Sequence, residues 1–276
     1  ALITEARQAV ADFLNCRSDE VVFGPNMTTL TYHLARGLGR GWGAGDEVVI
    51  TELDHHGNVG PWEALATERG VALRRIPFRI EDGTLDPDQV IAAIGPRTRL
   101  VAVGWASNAI GTVTDVAALC RTARERGVLS FVDAVHSAPH LLPDVAAVGC
   151  DYLGCSPYKF YGPHHGLLFG RKALLSAIDI PKLRPAPDEA PERLETGTQS
   201  HEAIVGTRAA IDFLAGIAPA PSRRASLEAG YAVLHARALA LFERLWTGLG
   251  RVPGVTRFGV EPHRPRTPTL GFTVAG

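Results

Sequence analysis

Lysine is scarce in this chain. Among 276 residues only Lys159, Lys172 and Lys182 are lysines, and only Lys159 is closely flanked by aromatics, in Ser156-Pro157-Tyr158-Lys159-Phe160-Tyr161-Gly162-Pro163. Desolvation by such neighbours disfavours the ammonium form and readies an amine for Schiff-base chemistry. A plainer role fits as well, with the stem packed on rings and the head in water. Asp133 closes an apolar run in FVDAVHSAPH. A carboxylate there can pair with a pyridinium nitrogen and keep the ring an electron sink, or it can cap a turn. His55, in ELDHHGNVGPW, can stack on a planar ring and move protons near neutral pH. Asn26-Met27-Thr28-Thr29 opens a helical pattern. Free N–H groups and hydroxyls at a helix start suit a phosphate, and they also suit ordinary capping.

The paired histidines His55-His56 and His164-His165 raise the question of a metal. Neighbours on an extended chain point to opposite sides, and no cysteine or carboxylate cluster with ligand spacing accompanies them. No metal is expected, and His164-His165 read as loop. Two glycine-bearing segments are set aside. Gly37 to Gly45 does not match G-x-G-x-x-G and lies between a helix and a strand, the wrong order for a dinucleotide. Gly154-Cys155-Ser156-Pro157-Tyr158 lacks the last glycine of a nucleophile elbow.

These residues must be positioned by the elements between them. Strand patterns fall at Glu20–Phe23, Glu47–Thr51, Val71–Ile76, Leu100–Gly104, Val128–Val132, Tyr152–Gly154 and Leu167–Gly170. Helical spacing falls at Thr28–Leu38, from about Pro61 to Arg69, at Asp86–Ile94, and after Asp115, where Val116, Leu119, Cys120 and Ala123 share a face and Gly127 is the stop. Alternation of this kind argues for an α/β fold, a mostly parallel sheet sandwiched by helices. Ligands then sit beyond the carboxyl ends of the strands, which is where Thr28, His55, Asn108, Asp133, Ser156 and Lys159 fall. Ser222 to Leu249 reads as one long helix ended by Gly250, with a stripe at Leu227, Tyr231, Leu234, Ala238, Leu241 and Leu245 forming a seam between domains. Pro181–Pro191 reads as an exposed loop.

Composition excludes several classes. The net charge is −1 with 46% hydrophobic residues, and no basic stripe suggests nucleic acid. Arg121, Arg124 and Arg126 read as a solvated helix face. No apolar run reaches membrane-span length. Nothing resembles a signal peptide, and Cys16, Cys120, Cys150 and Cys155 read as reduced thiols of a cytoplasmic protein. The chain opens on Ala1 inside a helical pattern and stops on a strand pattern, Thr269–Gly276. It is therefore expected to be part of something longer.

Taken in order, VVFGPNMTT, GDEVVITELDHHGNVGPW, ASNAIGT, FVDAVHSAPH, CSPYKFYGPHHG and RLETGTQSHEAIVG resemble the class V aminotransferase superfamily of pyridoxal 5′-phosphate (PLP) enzymes. The likeness is closest to the cysteine desulfurase and selenocysteine lyase branch. The resemblance implies PLP-dependent fold type I. A large domain would span 1–216, and 217–276 would supply the long helix and the start of a smaller α/β domain. It implies that Lys159 carries the cofactor and moves the substrate proton, Asp133 binds the ring nitrogen, and His55 stacks on the ring. Asn108 and His136 would lie near the ring hydroxyl. The Met27 backbone, Thr28 and Ser156 would hold the phosphate. Gly197 and Thr198 would reach the phosphate of a neighbouring subunit, which implies a homodimer with shared active sites. Two departures stand out: His136 replaces the usual glutamine, and Tyr158 replaces the usual histidine before the lysine. The family's substrate-carboxylate arginine and sulfur-accepting cysteine normally lie beyond the last residue here.

The function this implies is removal of sulfur from cysteine or a related amino acid, with alanine as product, sulfur held on the enzyme, and a sulfur-acceptor protein as a possible partner. Two alternatives remain open: transamination or epimerisation of another amino acid, and a catalytically silent PLP-fold binding protein.

Overall fold

The computed structural model describes residues 1–275. In chain order the elements begin with α1 (Leu2–Leu14), β1 (Val21–Gly24), α2 (Met27–Leu38), β2 (Glu47–Thr51), α3 (His56–Arg69) and β3 (Ala72–Ile76). A small ribbon, β4 (Phe78–Arg79) with β5 (Thr84–Leu85), precedes α4 (Pro87–Ala93) and β6 (Thr98–Gly104). Then come α5 (Val116–Glu125), β7 (Leu129–Asp133), α6 (Val145–Val148), β8 (Tyr152–Cys155), β9 (Gly166–Gly170) and α7 (Lys172–Ala177). The last elements are α8 (His201–Ala215), α9 (Arg223–Leu249), β10 (Val255–Phe258) and β11 (Gly271–Val274).

The main sheet has seven strands in the order β1-β9-β8-β7-β6-β2-β3. Strands β3, β2, β6, β7 and β8 run parallel, and β9 is antiparallel to both neighbours. Side chains on a strand alternate between faces, and here both faces are dry, so the strands read as unbroken apolar runs. Val49, Val101, Val103, Val132 and Leu153 pack with residues of α1, α5 and α8. Val48, Ile50, Leu100, Ala102 and Phe131 face the other way, onto residues of α2 and α3. Edge strand β3 carries Arg74, which is bonded to the buried Glu47 at 2.9 Å. Charge on an exposed edge discourages further pairing.

Capping explains most helix starts. Asn26, Asp86, Asp115, Asp144, Ser200 and Ser222 each accept a backbone N–H in the following turn. Helix α3 begins five residues before Pro61, earlier than the sequence pattern suggested. The His55 ring takes the capping role, with Nδ1 accepting the Gly57 N–H at 2.9 Å, and Pro61 sits inside the helix. The arginines of α5 do more than meet solvent: Arg126 donates to the Ile91 and Ile94 carbonyls at the end of α4, at 2.6 and 2.7 Å.

The stripe on α9 is buried only in its first half. Leu227 and Tyr231 are buried, and Tyr231 donates to the Ala138 carbonyl at 2.7 Å. Leu241 and Leu245, expected in the same seam, are exposed, whereas Phe242 and Trp246 are buried. The two halves of the helix have different partners. The first packs on α1 and α8, and the second faces the segment around β10 and Arg266, one residue further round. Among the described residues no helix is long and apolar enough to cross a membrane.

Gly166 marks a close approach of backbones. A Cβ there would sit within 2.7 Å of the Asn26 main chain, at the entrance to α2. Gly166→Ala is therefore expected to destabilise by about 1–3 kcal/mol, the usual range for forced overpacking. Gly95→Ala, where a Cβ meets nothing within 4 Å, should leave the urea midpoint nearly unchanged. Equal midpoints for the two variants would contradict this packing.

Candidate active site

The winding of the sheet reverses between β2 and β6. From β2 the chain passes through α3 to β3 on one side, and from β6 through α5 to β7 on the other. Neighbouring strands whose connections diverge leave a crevice beyond their carboxyl ends. A cavity of 470 Å³ lies there, lined from β2, β6, β7 and β8 ends and from the start of α2. That volume suits a small organic ligand.

Nine of the eleven residues singled out from the sequence line this cavity: Met27, Thr28, His55, Asn108, Asp133, His136, Ser156, Tyr158 and Lys159. They are gathered from positions 27 to 159, as the strand-end argument required. Gly197 and Thr198 do not line it; they lie on an exposed stretch outside the regular elements, where Gly197 has φ +76°.

At one end, Met27 and Thr28 open α2. The Met27 N–H donates to Ser156 Oγ at 3.2 Å, so a helix N-terminus and a hydroxyl from the β8 end converge. The capping oxygen of Asn26 accepts from Thr29 N at 2.8 Å and so fixes the direction of the terminus. This combination suits a phosphate.

At the other end, Asp133 closes β7, buried, with Oδ1 accepting the Val135 N–H at 2.8 Å. Burial pushes its carboxyl up to about 6, opposed by the Val135 hydrogen bond and by Lys159. A buried carboxylate in that condition is suited to a protonated ring nitrogen. The aromatic desolvation expected for Lys159 does not hold. The residue is exposed to the cavity; Phe160 turns into the core against Phe13, and Tyr161 is exposed. Only Tyr158 lies beside the amine, with Nζ 5.4 Å from its ring centroid. The other two lysines are engaged elsewhere: Lys172 with Asp19 and the Ala190 carbonyl, Lys182 with Asp188 and the Ala186 carbonyl.

The sequence reading missed Asp54 and His164. The Asp54 carboxylate accepts from Gly104 N at 2.6 Å and from Asn58 Nδ2 at 3.1 Å, stitching the two diverging strands together. Burial, with Asp133 adding to it against the Gly104 hydrogen bond, raises its carboxyl to about 7. The signal was present, since Asp54 directly precedes His55 after β2. His164 stacks on Tyr158 with centroids 5.1 Å apart, while its neighbour His165 is buried against Phe23. Among the described residues no cysteine lines the cavity. Cys120, Cys150 and Cys155 are buried, and burial raises their thiols.

A cradle for phosphate, a carboxylate for a ring nitrogen, an imidazole at the mouth and one free amine together fit a PLP-binding site on a fold type I scaffold. The chain matches the family described as Aminotransferase class-V over residues 1–276. It is 33% identical over its full length to a protein named "Probable cysteine desulfurase" from Pseudomonas putida and covers 69% of that relative. It is 38% identical over 78% of its length to a cysteine desulfurase of Klebsiella pneumoniae, covering 56% of it. Among solved structures, the apo cysteine desulfurase of Thermococcus onnurineus superposes with a TM-score of 0.88 at 28% identity, over 100% of this chain and 68% of that one. The chain belongs to the class V aminotransferase family of PLP-dependent enzymes. It spans between about half and seven tenths of the length of the curated relatives it matches.

The raised carboxyls make the cofactor-free protein sensitive to pH. Asp54 and Asp133 bind protons more readily folded than unfolded, so between their ordinary value of 3.8 and about 7 their contribution to stability falls as pH rises. His136 and His165, lowered from 6.5 to about 4 by burial, act oppositely and favour the fold as pH rises through that window. Asp54→Asn removes one carboxyl while keeping an acceptor for Gly104. Asn58 Oδ1, buried without a partner among the described residues, can turn to meet the new amide. The variant should gain stability relative to wild type between about pH 5 and about pH 8. Urea melts of the cofactor-free proteins giving the same difference at both pH values would contradict the buried-carboxyl account.

Proposed function

We propose that this chain carries the PLP site of a cysteine desulfurase-like enzyme, acting on cysteine or a related sulfur-bearing amino acid. The observation that carries the reading is the position of Lys159, the one lysine among the described residues that lines the cavity, with the buried Asp133 and the phosphate cradle in the same cavity. The names of the relatives support the reaction class.

Bound there, PLP supplies a conjugated ring that accepts the electron pair released at the substrate carbon. Each residue would have a role around it. Lys159 Nζ would attach the cofactor and could move the proton at the substrate α-carbon. Asp133 would hold a proton at the ring nitrogen. The His55 imidazole, its Nδ1 tied to Gly57 N, would cover a ring face. Asn108 and His136 would serve the ring hydroxyl. Tyr158 would border the cofactor beside Lys159, and the Met27 N–H, Thr28 and Ser156 would bind the phosphate. In the net reaction the cysteine C–S bond breaks, sulfur joins an acceptor thiol to give a persulfide, and alanine leaves. Since no cysteine among the described residues lines the cavity, the acceptor thiol would come from outside these lining residues, from another protein segment or a partner.

We also infer a homodimer in which Gly197 and Thr198 serve the neighbouring subunit's phosphate; their exposure outside this chain's own cavity is consistent with that role. The division at 216/217, with α9 opening a second domain, a cytoplasmic setting and a sulfur-acceptor partner belong to the same proposal.

Product analysis tests it. With PLP, cysteine and a small thiol, the protein should release alanine and sulfide in equal amounts, and Lys159→Ala should lower the rate by about 10³-fold or more, within the range for a lost general base. A keto acid in place of alanine would move the function to transamination, and no product from cofactor-loaded protein would leave a binding protein.

A further inference from the structure

His136 lines the cavity, and its ring is held by residues remote in sequence. Nε2 lies 3.0 Å from Thr267 Oγ1 and 2.9 Å from Thr269 Oγ1. Nδ1 has no hydrogen bond from the described residues. Both threonines sit on the segment joining β10 to β11, more than 120 residues further along the chain. That segment lies against the loop carrying Asn108. The Thr267 N–H donates to the Gly111 carbonyl at 2.8 Å, and Thr112 and Arg266 form an antiparallel bridge. Arg266 is buried beneath, donating to the Ile110 carbonyl at 3.1 Å, to the Thr269 carbonyl at 2.7 Å, and to the Val260 carbonyl. The fit leaves no room at Gly111, where φ is +76° and a Cβ would sit 2.7 and 2.8 Å from the Thr269 and Thr267 carbonyls.

We propose that Thr267 and Thr269 are positioning residues of the cofactor site, whose hydroxyls fix the ring of His136 from the far segment of the chain. The inference rests on the PLP-site reading above. Its chemistry is that of a neutral imidazole held by neutral partners. Burial, with His140 and Lys159 nearby, depresses the His136 imidazole to about 4, and hydroxyls orient an uncharged ring without the proton uptake a carboxylate partner would favour. One segment thus sets the His136 ring by side-chain bonds and the Asn108 loop by backbone bonds. Both residues line the cavity.

The test separates hydroxyl from packing. Thr267→Val/Thr269→Val keeps the volume and removes both hydroxyls; Thr267→Ser/Thr269→Ser keeps the hydroxyls and removes the methyls. Three readouts are taken: the histidine ring-nitrogen NMR signals of cofactor-free protein, the visible absorption maximum after PLP addition, and the PLP dissociation constant. The valine pair should shift the His136 ring signals, move the absorption maximum and weaken PLP by about 5- to 30-fold, the equivalent of one or two lost hydrogen bonds. The serine pair should stay near wild type in all three. Thr269→Val alone, which leaves the Thr267 contact with Gly111, should give a smaller shift of the same sign and guards against misfolding of the double variant. If the serine pair is the damaged one, or if the valine pair leaves ring signals and absorption unchanged while wild type binds PLP, the positioning role is overturned and the PLP site stands. If wild type binds no PLP, both fall.

Discussion

Strands β2 and β6 lie side by side, yet the chain leaves them in opposite directions. Everything chemical in this protein depends on that divergence. A helix packed over either connection would fill the space, but with α3 and α5 drawn to opposite sides the crevice at the strand ends stays open. The Asp54 carboxylate spans it through Gly104 N and the Asn58 amide. It supports the gap from within by hydrogen bonding rather than by side-chain bulk.

An open crevice over a dry sheet creates an electrostatic problem. Asp54 and Asp133 share a poorly solvated region, and each carboxylate makes the other costlier to ionise. The arrangement is poised for cationic company. Lys159 approaches from the β8 end, and a protonated ring nitrogen would meet Asp133. The neutral His136 avoids adding a competing charge. Its threonine partners connect this balance to the segment after β10, so the strand-end chemistry and the following part of the chain are physically joined.

Much of this was legible in the residues. Dry strands made EVVIT, LVAVG and FVD readable as sheet interior, and the polar residue after each strand marked the cavity, including His55, Asp133 and Lys159. The misses have physical causes. The Pro61 signal hid the true start of α3, because a histidine ring supplied the cap. The α9 stripe failed at Leu241 and Leu245, since spacing tells which residues share a face but not which neighbour covers it. Thr267 and Thr269 carried no local signal at all, because their role arises from contact with His136 across the fold. The desolvation argument for Lys159 does not hold in the fold: its amine is distinguished by facing the cavity and lacking a salt-bridge partner among the described residues, not by burial.

The central claim is that Lys159 is the attachment point for PLP, and borohydride trapping tests it most directly. Reduction of the PLP-loaded protein, followed by proteolysis and mass spectrometry, should place a single pyridoxyl group on the peptide containing Lys159 and leave Lys172 and Lys182 unmodified. A label on either of those lysines, or no label on folded protein at saturating PLP, would contradict the account.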